Sequence, residues 1–142
     1  GFNGTPLHGA LDSAGRYFSR TDAQGPYGPQ ATSGQFSCRQ NFAILTTDGY
    51  WNDTSNNYSV KVGNQDGDPG VKITGINNQS YRYSPSAPYT DGYSDTLADV
   101  AMRYWKTDLR TDLTNNVQQQ LDQSRVLAAH GDLRHLDRSQ RQ

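Results

Sequence analysis

FAILTTDGYW, Phe42 to Trp51, is the stretch on which the fold turns. Phe42, Ala43, Ile44 and Leu45 are apolar without interruption, and polar residues close them on both sides. So short a continuous run predicts a strand buried on both faces, the pattern of a parallel sheet. Asp48 then sits at the strand's carboxyl end, where open α/β sheets bind their ligands. Asp48-Gly49 also suits a two-residue primed turn joining FAILTT to YWND. Spacing alone leaves both readings open.

Working outward, Leu7, Ala10, Leu11, Ala14, Tyr17 and Phe18 recur at three-and-four spacing and predict a helix with one apolar face. Thr5 is a suitable N-cap and Pro6 a suitable first helical residue. A Gly-, Ser- and Pro-rich loop runs from about Arg20 to Gln35. Downstream, Tyr58, Val60 and Val62 alternate with polar residues, as do Val71 and Ile73, and GNQDGDPG (Gly63–Gly70) lies between them. That predicts a hairpin excursion, followed by a Tyr-, Ser- and Pro-rich loop from Asn77 to Tyr93. A second helix is expected from Thr96, with Thr96 and Asp99 at capping-box spacing. Its predicted buried face is Leu97, Val100, Ala101, Tyr104 and Trp105. Arg103, Lys106 and Arg110 fall near its C-terminus, where positive charge favours the macrodipole.

Composition limits what these elements can build. The chain has 142 residues, of which 32% are hydrophobic, and a mean hydropathy of −0.91. So few apolar side chains do not offset the ordering entropy of a compact fold of this length. The nine tyrosines argue against simple disorder, so a loop-rich piece of a larger domain is expected. A net charge of −1 leaves no electrostatic footprint for nucleic acid or an anionic membrane. No apolar run approaches the length of a membrane span, and no signal peptide is seen. The chain starts at Gly1 rather than Met, so its true start is expected upstream. Cys38, the single cysteine, makes no disulfide framework; it is either a buried thiol or the partner of a cysteine elsewhere.

Candidate chemistry is sparse. Thr5 before a helix and Asp48 after a strand are hard oxygen donors, suited to Mg²⁺, Mn²⁺ or Ca²⁺. Two donors do not make a metal site, and an N-cap role for Thr5 competes. His8 and Asp12, one helical turn apart beside Ser13, are expected on an exposed helix face, since no nucleophile elbow accompanies them. Asp66-Gly67-Asp68 lacks the further ligands of an EF-hand and is expected at a solvated hairpin tip. Tyr81, Tyr83, Tyr89 and Tyr93 suit either a contact surface or a cover for a sheet edge, the latter preferred. Trp51 and Trp105 are expected to be packing residues.

A resemblance orders these pieces. GFNGTPLHGALDSAGRYF resembles the "GGTPL…AL…AGRYF" segment of von Willebrand factor A-like domains, and CRQNFAILTTDGYWND resembles their "ILLTDG" strand. The resemblance implies a metal-ion-dependent adhesion site to which Thr5 and Asp48 contribute. Three blocks are similar to the type IV pilus tip-associated PilC/PilY family: SCRQNFAILTTDGYWN, ITGINNQSYRYSPSAPYTDGYSDTLADVAMRYWKTDLR and TDLTNNV. The likeness runs from Gly1 to Val117. It implies a partial von Willebrand A-like domain, an α/β doubly wound sheet with helices on both faces and a β-hairpin insertion.

The family's Asp-x-Ser-x-Ser loop is expected upstream of Gly1, and its calcium-binding propeller beyond the C-terminus. Metal binding by these residues alone is therefore not expected. Phe2-Asn3-Gly4 stands before Thr5 where the family has Gly-Gly. The implied role is export to the cell surface, pilus assembly and adhesion from the tip. The implied partners are pilin and minor pilin subunits and a host or abiotic surface, and no reaction is catalysed. A second reading is a structural or force-sensing module with a vestigial metal site. A third, a chelatase-type enzyme subunit, leaves the pilus-like middle block unexplained.

The likeness stops after Val117, at QQQLDQSRVLAAHGDLRHLDRSQRQ. Moved one base forward with permitted wobble bases, the codons of Asp122 to Arg141 can encode TNPAFWQHMVTYGISIGLNG. That string resembles the family's continuation and contains an apolar strand. Residues 118–142 are therefore predicted to be a frameshifted, non-native tail. The alternative is an amphipathic helix using Leu121, Leu127 and Leu133.

Overall fold

A computed structural model describes residues 5–29, 34–47 and 60–115. Asp48, Trp51 and the tail after Val117 lie outside the described residues. The elements in chain order are helix α1 (Leu7–Phe18), strands β1 (Ile73–Thr74) and β2 (Ser80–Tyr81), and helix α2 (Leu97–Trp105).

Helix α1 begins one residue later than the sequence suggests. Pro6 holds the N-cap position and no side chain caps the helix, so Thr5 is not the N-cap. Proline's fixed φ suits the edge of a helix, and the Ala10 N–H closes the first turn on the Pro6 carbonyl at 3.0 Å. The buried face also differs. Leu7, His8, Asp12 and Gly15 are buried, while Ala10 and Tyr17 are exposed. The reason lies in α2, which presents Tyr104 to this stripe. Its hydroxyl donates to Asp12 Oδ1 at 2.6 Å. A Cβ added at Gly15 would stand 2.4 Å from the Tyr104 ring. A small and a polar residue one turn apart thus accept a phenol. Asp12 belongs to the interhelix seam and His8 is buried, so neither lies on an exposed face.

Helix α2 starts where expected. The Thr96 hydroxyl accepts from the Asp99 N–H at 3.1 Å, and Asp99 Oδ2 accepts from the Thr96 N–H at 2.8 Å, completing a capping box. Val100 is fully buried. Ala101 is exposed and Trp105 is 46% exposed, so the predicted apolar face is buried only in part.

The hairpin is displaced along the chain. Ile73 pairs with Tyr81 and Thr74 with Ser80, antiparallel. Asn77 and Asn78 make the turn with φ of 55° and 59°, closed by the Gln79 N–H on the Ile76 carbonyl at 3.0 Å. Asparagine is among the few residues that enter this left-handed region readily, and type I′ hairpin turns require it at both central positions. Of the strand expected over Tyr58, Val60 and Val62, Tyr58 lies outside the described residues, and the Val62 N–H is held by the Asp95 side chain instead of a strand partner.

Residues 41–47 form no strand, and Phe42 and Ile44 are 78% and 88% exposed. A central parallel strand needs neighbours on both edges and cover on both faces. Among the described residues, none pairs with this segment. The apolar run therefore stays at the surface.

Candidate functional site

Of the two predicted metal donors, only Thr5 lies among the described residues, exposed at the entry to α1, and Asp48 lies outside them. Among the described residues, no group of three or more His, Cys, Asp or Glu side chains could hold a metal ion. No described helix is long and apolar enough to cross a membrane. Cys38 is exposed rather than buried.

What the described residues do assemble is a polar latch between the GNQDGDPG connector and the DGYSDTLAD segment that opens α2. Asp95 Oδ1 accepts from the N–H groups of Val62 and Gly63 at 2.7 and 2.8 Å. Gly63 has a φ of 73°, a conformation that costs a residue with a side chain. Asp99 Oδ1 accepts from the Gln65 N–H at 2.7 Å, while Oδ2 serves the capping box. The Asn64 amide donates to the Asp91 and Tyr93 carbonyls, both at 2.9 Å, and its oxygen accepts from the Gly67 N–H. The Asp66 carboxylate accepts from the Asp91 N–H at 3.2 Å.

The latch favours the charged forms of Asp95 and Asp99. Hydrogen bonds from the Gly63 and Val62 N–H groups keep Asp95 below the usual carboxylate range. Burial pushes Asp99 up, but the combined donors of Gln65 and Thr96 outweigh it and leave Asp99 low as well.

Cationic side chains close the other end. The Lys106 ammonium, buried at the C-cap of α2, donates to the Gln65 and Asp68 carbonyls at 2.6 and 3.0 Å. Asp66 is buried, and the Tyr83 hydroxyl donates to its carbonyl at 2.9 Å. Within the Asp66–Asp68 run, Asp66 is thus buried while Gly67 and Asp68 stay exposed, and the Gln65 and Asp68 carbonyls already serve an internal ammonium.

Arg110 does the corresponding work for the Arg20–Gln35 loop. It is buried and donates to Asp112 twice at 2.8 Å, to the Arg20 carbonyl at 2.7 Å and to Gln35 Oε1 at 2.7 Å. Its guanidinium also lies 4.8 Å from the centre of the Tyr27 ring. The bond from Arg110 holds the Asp112 carboxyl below its ordinary range. Lys106 and Arg110 were legible in sequence only as charges near a helix end; apart from Asp112, their partners are 38 to 90 residues away.

A groove of ≈ 650 Å³ opens on the outer face of α2. Ala98, Ala101, Met102 and Trp105 form one wall, and Tyr81, Tyr83 and Tyr89 form the other. Trp105 meets the edges of Tyr81 and Tyr83 at centroid distances of 5.3 and 5.9 Å. Of the tyrosine stretch, Tyr83 is buried while Tyr89 and Tyr93 are exposed. Trp105 does pack, with one side open.

No protein-family model matches the chain, and no solved structure matches it. Curated relatives do match, and they are large proteins named as type IV pilus biogenesis factors. Over most of its length the chain belongs to the PilC/PilY family, as a segment of such a protein. PilY1 of Pseudomonas aeruginosa strain PAO1 is 42% identical over 118 residues, which cover 80% of this chain and 9% of that protein. PilY1 of strain PAK matches equally, and that of strain UCBPP-PA14 is 36% identical over the same length. The chain thus spans about a tenth of the length of these relatives.

Proposed function

We propose that this chain is a working segment of a type IV pilus biogenesis factor, exported to the cell surface and active in pilus assembly and tip-mediated adhesion. The observation that carries the reading is the 42% identity over 118 residues to a protein named for that process. The segment is non-enzymatic. It belongs to a von Willebrand A-like α/β domain in which FAILTTDGYW is a sheet strand. Thr5 and Asp48 supply two ligands of a divalent ion, Mg²⁺, Mn²⁺ or Ca²⁺, whose open coordination position takes an acidic group of the surface ligand. Pilin and minor pilin subunits are the assembly partners. Support for the site itself comes from donor chemistry and from the sequence resemblance.

A second reading makes the domain a structural or force-bearing module with a vestigial metal site. It is favoured by the latch, which spends the acidic residues of the DGYSDTLAD segment on internal N–H groups. One experiment separates the two. Residues 5–115 replace the matching segment of PilY1 in a piliated bacterium, with and without Asp48→Ala. Pili and adhesion from the first chimera, with adhesion alone lost in the second, support the metal reading. Equal adhesion by both supports the structural one. A chimera that is exported and stable yet makes no pili contradicts the assignment to pilus biogenesis.

A further inference from the structure

We draw no further inference here: the strongest candidate, the aromatic groove between Tyr81, Tyr83, Tyr89 and the outer face of α2, is an unpartnered apolar face, and nothing in the structure shows what covers it.

Discussion

Residues 60–115 and residues 42–47 make opposite use of their sequence. The first region is polar, yet it is knit together, because its acceptors and donors lie within reach along one stretch of chain. Asp95, Asp99 and Lys106 bond to backbone groups of residues 62–68. The second region is the most apolar run near the centre of the chain, and it is exposed. A strand of a parallel sheet draws its stability from neighbours distant in sequence. The capping box, by contrast, is completed within four residues, and the carboxylate latch finds its partners inside the same described stretch, residues 60–115. Order in this chain therefore follows the availability of partners rather than hydrophobicity.

That comparison can be broken at several points. The largest effect is expected at Arg110, where Arg110→Ala removes a buried guanidinium and strands the Gln35 and Arg20 acceptors. Loss of such a group costs about 3 kcal/mol, read as a lower denaturant midpoint in chemical unfolding of the whole chain. A change under about 0.5 kcal/mol would show that the Arg20–Gln35 loop is not tied by this residue.

Next is the helix seam. Gly15→Ala gains helix propensity, but its Cβ meets the Tyr104 ring at 2.4 Å, so a net loss of about 2 kcal/mol is expected from overpacking. Combining it with Tyr104→Ala should remove the clash, giving less destabilisation than the sum of the two single changes. Strict additivity would place Tyr104 elsewhere.

Asp99→Ala removes a cap and the acceptor for Gln65, for about 1–2 kcal/mol. Amide exchange should then quicken at Gln65 more than at Arg110. Equal quickening would mean that the latch has no local identity.

The sign of the pH dependence follows from the depressed carboxyls of Asp95 and Asp99. Their contribution is present above the unfolded carboxyl value of ~3.9 and is lost as pH falls through the lower folded values. Protection of the Val62, Gly63 and Gln65 amides, corrected for intrinsic exchange, should be flat near neutrality and fall only under acid conditions. A decline already centred near pH 6 would point to a different group. The smallest effect is expected at Phe42→Ser. An exposed side chain should change stability by under about 0.5 kcal/mol.

What could be read from sequence divides along the same line. The Thr96–Asp99 cap was legible because it depends on four consecutive residues. The hairpin was displaced because GNQDGDPG carries more turn residues than INNQ does, although the Asn77-Asn78 pair held the true signal. The buried face of α1 departs from the apolar stripe because its neighbour is a hydroxyl over a glycine, and apolar periodicity does not register such a seam. A metal site at Thr5 and Asp48 needs the carboxyl end of a parallel sheet, and the described strands form a two-stranded antiparallel hairpin.

Hydrogen exchange on the full chain near neutral pH, resolved by residue, tests the contrast most directly. The account predicts strong protection at Val62, Gln65 and Val100 and near-solvent exchange at Ile44 and Leu45. Protection of Ile44 and Leu45 equal to that of Val100 would contradict it, because FAILTTDGYW would then have its sheet within this chain.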